Sequence, residues 1–222
     1  MKKLSIFLTA LFILFFLSNA VTLTAQSPQN FTPGNLQWIG AWQFGPSFSI
    51  HLDTERQLAF LGTGGAVFIV DIDDPYNPVV INKTIRTEGV VEDVWYDEET
   101  TDLYLACGRG GMEIWDVYDP ANPYRISQTE ILYFNEETPV RHIELYRDYA
   151  IVECEWGYVH SVDISDPQNP VQISFNGVMG NPSHDIYIDE LGLVHSTGAQ
   201  FYAILSIGED GALNTAGQKD FD

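Results

Sequence analysis

The chain has few basic residues. Its 222 residues include 31 Asp and Glu but only 10 Lys and Arg, which gives a formal net charge of −21. So acidic a protein repels phosphate backbones and anionic lipid headgroups. The charge therefore argues against nucleic acid and anionic membrane surfaces as partners. We interpret it as an acidic surface that keeps the protein soluble.

Long apolar runs are also missing after residues 1–25. No later segment reaches the roughly 20 apolar residues of a membrane-spanning helix, so we expect no transmembrane segment after cleavage. The N-terminus has two lysines, an apolar run over residues 4–17, and small residues for cleavage after Ala20 or Ala25. This layout is typical of a secretory signal peptide, with a retained anchor as the alternative. We expect residues 1–25 to be a signal peptide, residues 26–35 a linker, and the protein to be exported to the periplasm, cell surface or medium.

The chain does contain a turn motif that occurs three times. Asp71–Pro78 reads Asp-Ile-Asp-Asp-Pro-Tyr-Asn-Pro, and its pattern returns at Asp116–Pro123 and Asp163–Pro170. The first aspartates are 45 and then 47 residues apart, which indicates copies of one supersecondary unit. Proline stops pairing between strands, and Asp and Asn side chains can bond nearby backbone amides. We therefore interpret the motif as turn-building rather than metal-binding.

Each copy reads as four short β-strands. Segments rich in Val, Ile and aromatic residues alternate with polar turns, and no sustained helical periodicity follows the signal peptide. Four strands in about 45 residues match one blade of a β-propeller. We predict an all-β fold, a β-propeller of four-stranded blades with about four repeats, over residues 36–222. The repeat units lie near residues 36–78, 79–123, 124–170 and 171–210.

When the predicted strands are grouped into four-stranded blades, one strand has no blade of its own. Complete blades are predicted to begin near Ser49, Asp93, His142 and Asp185. Their outer strands are predicted at Val79–Ile85, Tyr124–Leu132, Val171–Val178 and Ala212–Lys219. The segment Leu36–Phe44 then either completes the last blade of a closed four-blade ring, or the chain is the front part of a longer propeller. We expect the longer propeller, truncated at the C-terminus, because four blades is the low end of the range.

The two cysteines, Cys107 and Cys154, are predicted to stay free. Each lies nine residues before a repeated aspartate, Asp116 or Asp163, so the two occupy equivalent points in neighbouring units. Such points should be more than about 7 Å apart, which is beyond disulfide reach. We expect two buried thiols.

The repeated strand and turn resemble the LVIVD repeat family, named for a strand that ends in aspartate before an Asp-Pro-x-x-Pro turn. Val67–Asp71 is the closest match, whereas Met112–Asp116 and Val159–Asp163 keep the turn but depart in the strand. Tyr202–Ser206 lacks the aspartate and the prolines. The resemblance covers roughly residues 36–210. It implies a secreted or surface-associated propeller and no particular activity.

Candidate ligand-binding residues enter the predicted inner strands, which converge at the mouth of a propeller's central channel. They are Glu92, Asp93, Arg141, His142, His184 and Asp185. Together, carboxylates, an arginine and imidazoles could orient an anionic or sugar-like ligand or hold a metal. The alternative is a solvated channel mouth whose charges pair with each other, with Arg141 beside Glu92. We assign no catalytic residue, metal ligand or cofactor.

Other chemistry-bearing residues are interpreted as structural. His51 and His160 fall within predicted strands, where packing is the expected role. The five tryptophans could stack on sugars but also suit blade cores, so we interpret them as packing residues. These are Trp38, Trp42, Trp95, Trp115 and Trp156.

We interpret the protein as a secreted or cell-surface propeller that acts as a binding scaffold for a protein or glycan, rather than as an enzyme. The alternative is an extracellular hydrolase or lyase with its site at the channel mouth. That alternative requires the mouth residues to converge on one reacting atom.

Overall fold

The computed structural model describes residues 47–177, 183–198 and 200–221. The predicted signal peptide, the linker and the left-over strand Leu36–Phe44 lie outside these residues. In the described part, all regular structure is β-strand, and no helix there is long and apolar enough to cross a membrane.

Four antiparallel sheets, each of four strands, follow one another along the chain. Sheet 1 contains β1 (Ser47–Asp53), β2 (Leu58–Thr63), β3 (Ala66–Asp71) and β4 (Val79–Arg86). Sheet 2 contains β5 (Asp93–Asp97), β6 (Asp102–Ala106), β7 (Met112–Asp116) and β8 (Tyr124–Thr129). A two-stranded ribbon follows, formed by β9 (Leu132–Tyr133) and β10 (Glu136–Glu137).

Sheet 3 contains β11 (Val140–Tyr146), β12 (Tyr149–Cys154), β13 (Tyr158–Asp163) and β14 (Val171–Gly177). Sheet 4 contains β15 (Ser183–Ile188), β16 (Leu193–Gly198), β17 (Phe201–Ile207) and β18 (Leu213–Asp220). Within each sheet the strands pair in chain order. The predicted all-β fold of four-stranded units is confirmed.

The first strands of successive sheets lie side by side, because β1 contacts β5, β5 contacts β11, and β11 contacts β15. Single polar side chains connect them. The N–H of Val94 donates to Ser49 Oγ at 3.0 Å, and the N–H of Ile143 donates to Asp93 Oδ2 at 3.1 Å. The first strands are therefore the inner strands, and residues far apart in sequence meet there.

The sheets pack face to face through apolar side chains. Phe60 of sheet 1 and Leu105 of sheet 2 belong to one buried cluster. A second cluster joins Ile114 of sheet 2 to Val152 of sheet 3, and a third joins sheet 3 to Leu205 of sheet 4. Because side chains alternate along a strand, each middle sheet buries both of its faces. The core is thus a series of layers between neighbouring sheets.

The two cysteines lie in different layers. Cys107 belongs to the cluster between sheets 1 and 2, and Cys154 to the cluster between sheets 2 and 3. Both are buried and free, as predicted. Burial raises the pKa of both thiols well above the ordinary value, so both stay protonated and act as small apolar packing groups.

The repeated Asp-Pro-x-Asn-Pro turn joins the third and fourth strands of sheets 1, 2 and 3, and its side chains close it. In sheet 1, Asp74 accepts hydrogen bonds from the N–H of Tyr76 (3.0 Å) and from Asn77 Nδ2 (2.7 Å). The same bonds recur at Asp119 and at Asp166. The turn is therefore determined locally by its own residues.

The fourth strand of one sheet also bonds to the turn of the next. Asn82 Nδ2 on β4 donates to the carbonyl of Ala121 at 2.8 Å. Ser127 Oγ on β8 donates to the carbonyl of Pro167 at 2.7 Å. The closed turns thus also fix the spacing between neighbouring sheets.

The predicted outer strand Tyr124–Leu132 is wrong at its end. Strand β8 stops at Thr129, and Leu132 pairs instead with Glu137 in the β9–β10 ribbon. Phe134 and the residue after it have φ values of 49° and 65°, the left-handed pair that closes a two-residue hairpin. Phenylalanine is unusual in that conformation, so the sequence contained little signal for this hairpin.

We expect Asp74→Ala to lower the midpoint of urea unfolding, because it removes both hydrogen bonds that close the first turn. Equilibrium unfolding monitored by tryptophan fluorescence measures this. Asp73→Ala is the matched control, since Asp73 is equally exposed and acidic but its carboxylate bonds to no other described residue. Equal midpoints for the two variants would contradict a turn-building role.

Candidate functional site

The polar residues at the start of the inner strands form two groups. Glu92 and Arg141 form one, and Asp93, His142 and Asp185 form the other. His184 lies on β15, but its side chain is outside the described part of the chain. Five of the six predicted binding residues are therefore placed, and their role in binding stays a prediction.

Arg141 lies between two carboxylates. Its Nη1 is 3.5 Å from Glu92 Oε1, and its Nη2 is 3.2 Å from Glu155 Oε1. Glu92 directly precedes β5 and Glu155 directly follows β12, so the group spans sheets 2 and 3. All three side chains are partly exposed, so these pairs contribute little stability but do orient the guanidinium.

His142 is surrounded by acidic groups. Its Nδ1 is 3.8 Å from Asp93 Oδ2 and 3.7 Å from Asp185 Oδ1, and its Nε2 is 3.8 Å from Glu153 Oε2. Burial lowers the pKa of His142, but its hydrogen bond with Asp93 and its electrostatic attraction to the surrounding carboxyl groups raise it above its ordinary value. The group therefore favours an imidazolium ion.

Asp93 is fixed by several donors. Ser49 Oγ donates to its Oδ1 at 2.6 Å, and the N–H of Ile143 donates to its Oδ2. Burial raises the pKa of Asp93, but the hydrogen bonds with His142, Ser49 and the backbone outweigh it and bring the pKa below its ordinary value. Asp93 is thus an ionised carboxylate that links the inner strands of sheets 1, 2 and 3.

Glu153 is fully buried beside His142, and sequence reasoning missed it. Strands β11 and β12 place the two residues in direct register. Neither carboxylate oxygen of Glu153 has a hydrogen-bond partner in the described part of the chain. Burial raises its pKa to about 8, although His142 opposes this. The available signal was a glutamate within the apolar strand Tyr149–Cys154.

A surface cleft runs past the arginine group. One part, of about 410 Å³, is lined by Gly89, Val90, Glu92, Gly108, Arg109, Pro139, Arg141 and Glu155. The adjoining part, of about 220 Å³, is lined by Arg109, Tyr133, Glu136, Glu137, Thr138, Pro139, Glu155, Trp156 and Tyr158. The two parts share the lining residues Arg109, Pro139 and Glu155, so they adjoin one another, and we call them together the mouth cleft. One end of it is charged and the other is aromatic.

Trp156 corrects a prediction, because it is 60% exposed rather than packed in a blade core. Trp95 and Trp115 do pack against the buried clusters, whereas Trp38 and Trp42 lie outside the described residues. Trp156 lies in the tight turn between β12 and β13, outside the paired strands. Turn position, rather than residue type, was the signal that could have identified it.

The predicted packing histidines are positioned differently. His160 is fully buried, and its Nδ1 is 3.1 Å from Gln172 Nε2. Burial lowers the pKa of His160 to about 4, so it is neutral and packs as predicted. His51 is partly exposed and lies edge-on to Trp95. In the described part of the chain, no group of three or more His, Cys, Asp or Glu residues is arranged to hold a metal ion.

The fold is similar to several solved structures. A protein from Lactobacillus plantarum matches with a TM-score of 0.67 and 14% identity over 78% of this chain and 55% of that chain. A periplasmic gluconolactonase from Pseudomonas aeruginosa matches with a TM-score of 0.68 and 10% identity over 80% and 55%. A functionally unknown protein from Desulfotomaculum acetoxidans matches with a TM-score of 0.64 and 12% identity over 78% and 55%. The chain spans about half the length of these structures, and at such identities the likeness concerns the fold alone.

These neighbours are propeller-like, and together with the four face-packed sheets they define the chain as a β-propeller scaffold whose sheets are blades. The profile of the LVIVD repeat family matches residues 139–175. This match covers most of the third sheet and is consistent with the resemblance that the turn motif indicated. No curated protein matches the chain.

We expect the stability of the protein to fall as pH rises from about 5 to about 8. An unfolded glutamate ionises near its ordinary pKa of 4.5, whereas burial holds Glu153 protonated up to about 8. The stabilisation is complete below the unfolded pKa and is lost as pH rises through the folded pKa. The raised pKa of His142 acts in the same direction.

Glu153→Gln should flatten this pH dependence, with a difference on the order of 2 kcal/mol between pH 5 and pH 9. Urea unfolding at a series of pH values measures it. Glu155→Gln is the matched control, because Glu155 is only two residues away but is partly exposed. Parallel stability curves for the wild type and Glu153→Gln would contradict the buried-proton interpretation.

Proposed function

We propose that the protein is an exported propeller scaffold that binds its ligand, without chemical conversion, in the mouth cleft between the second and third blades. The observation that carries this proposal is that the part of the cleft lined by Arg141 adjoins the part lined by Trp156, with Arg109 lining both. It offers fixed charged groups at one end and an aromatic surface at the other. Ligand sites typically combine such oriented polar groups with apolar contact area.

The ion pairs of Arg141 support binding rather than catalysis. Both of its ion-pair partners are carboxylates that orient it at the cleft surface. His142 has acidic neighbours at both ring nitrogens, so its positive charge is balanced by residues of the inner strands and their neighbouring strands. The mouth residues thus pair with one another in two separate groups, which supports a site without catalytic chemistry.

Arg141→Ala should weaken ligand binding by about tenfold, because it removes an oriented donor from the cleft wall and releases both carboxylates. The wild type is first screened on immobilised glycan and peptide arrays, and the affinity of any bound compound is then measured by calorimetry. Arg147→Ala is the matched control, since Arg147 is an exposed arginine beyond the opposite end of β11. Equal affinities for the two variants would place the ligand elsewhere.

Export is part of the proposal. The lysine-containing N-terminus with its apolar run supports a signal peptide. We expect the mature protein, expressed with its full N-terminus in a bacterial host, to begin after Ala20 or Ala25 and to occur outside the cytoplasm. N-terminal sequencing of the fractionated protein measures this. Intact Met1 on cytoplasmic protein would contradict it.

A hydrolase is the second candidate, supported by one observation. The Pseudomonas structure of similar fold is a gluconolactonase, and this chain has the acid–histidine group of Asp93, His142 and Glu153 in its inner wall. Gluconolactone hydrolysis, monitored by proton release, separates the two candidates. Turnover by the wild type that is lost in His142→Ala would favour the hydrolase. Equal rates for both proteins and for buffer support the scaffold.

The four blades are also proposed to be part of a larger propeller. The chain covers only 55% of each structural neighbour described above. Ile50 and Leu52 on β1 are exposed, as expected of a blade face that lacks a full apolar partner.

A further inference from the structure

We propose that the mouth cleft binds a neutral oligosaccharide and that Trp156 stacks on one of its sugar rings. This inference rests on the proposed binding function and specifies its ligand class. It depends on three properties of the aromatic end of the cleft: an exposed indole in a fixed turn, a rigid aromatic wall, and a lining that combines donors with acceptors.

The indole is displayed by a tight hairpin. Trp156 and Gly157 connect β12 to β13 with φ values of 78° and 83°, and the N–H of Gly157 donates to the carbonyl of Cys154 at 3.3 Å. Cys154 is buried in the core between the second and third blades. The turn is thus attached to the rigid part of the protein, yet Trp156 remains 60% exposed and lines the cleft. A large apolar surface is therefore presented to solvent in a defined place.

The neighbouring aromatic wall is fixed by ring contacts. Tyr133 and Tyr158 stack with ring centroids 4.0 Å apart, and their hydroxyl oxygens are 2.8 Å apart. Phe175 packs edge-on to Tyr133 at 5.1 Å. The β9–β10 ribbon brings Tyr133 to this position, so the ribbon that sequence analysis missed builds one side of the cleft. Two ordered phenol groups meet the ligand without further loss of conformational freedom.

The polar lining suits hydroxyl groups. Arg109 and Arg141 provide donors, and Glu136, Glu137 and Glu155 provide acceptors along the same cleft. Each sugar hydroxyl both donates and accepts, so a chain of sugars can use both kinds of group in turn. The apolar face of a sugar ring covers an exposed aromatic ring at the same time. A compact apolar ligand would cover these charged groups without offering them hydrogen bonds in place of water.

The charge balance selects a neutral glycan over an acidic one. The cleft contains four glutamates and two arginines, and Arg141 is already paired with two of the glutamates. The whole chain carries a net charge of −21. Uronic or sulfated sugars would be repelled by this field. A lysine-rich peptide is the competing ligand, and the experiment includes it.

The test is calorimetric titration of the purified protein with cellohexaose, N-acetylated chitohexaose, maltohexaose and octalysine. We expect at least one of the neutral hexasaccharides to bind, and we expect Trp156→Ala to weaken that binding by about tenfold. Trp156→Phe should retain most of the affinity, because it keeps an aromatic face. Tyr76→Ala is the matched control, since Tyr76 is 64% exposed but lies in the first-blade turn.

The possible outcomes distinguish a failure of the glycan inference from a failure of the scaffold proposal. Failure of all three hexasaccharides to bind overturns the glycan inference. If octalysine alone binds, and Trp156→Ala weakens that binding while Tyr76→Ala does not, the scaffold proposal stands while the glycan inference fails. Hexasaccharide binding that Trp156→Ala and Tyr76→Ala affect equally also overturns the inference, because the sugar then lies outside the aromatic end.

Discussion

Face-to-face packing of successive sheets is the constraint on which the rest of the structure depends. A single four-stranded sheet cannot cover its own apolar faces, and here β6 in the second blade is buried along its whole length. Leu103 and Leu105 pack toward the first blade, whereas Tyr104 and Ala106 pack toward the third. Because both apolar faces of a middle sheet have to be covered, the repeats stack face to face, with their inner strands side by side. That stacking brings the polar ends of the inner strands together.

The candidate site is a consequence of this convergence. Ser49, Asp93 and Ile143 lie in three different blades, yet hydrogen bonds join them directly. Asp93 therefore has a structural role as well as a position at the mouth. Its hydrogen bonds across three blades offset the cost of partly burying an ionised carboxylate. Arg141, one residue before His142, is directed to the surface by the bulge that β11 makes between Val140 and His142. Two adjacent residues therefore have different positions: His142 lies among the acidic side chains of the inner strands, and Arg141 lines the mouth cleft.

Much of the fold was predictable from the sequence because the decisive signals are local. Asp74 and Asn77 close their turn with their own side chains, so the motif could be interpreted without a structure. The outer strand predicted at Val79–Ile85 differs from β4 by a single residue. The β9–β10 ribbon was missed because its turn uses Phe134 in a left-handed conformation. The site was only partly predictable: its inner-strand residues were named, but Glu153 and Glu155 were not, and Trp156 was assigned to packing in a blade core.

What the sequence determined by itself was the repeating unit, its strands, its closed turns and the unpaired state of Cys107 and Cys154. Each of these follows from residues within one unit or from their spacing. Only the tertiary structure decided that the mouth residues divide into two groups, that Glu153 is buried against His142, and that Arg141 and Trp156 line one cleft. The reason is physical: such contacts depend on the angle and distance between neighbouring blades, which the packing of whole apolar faces sets.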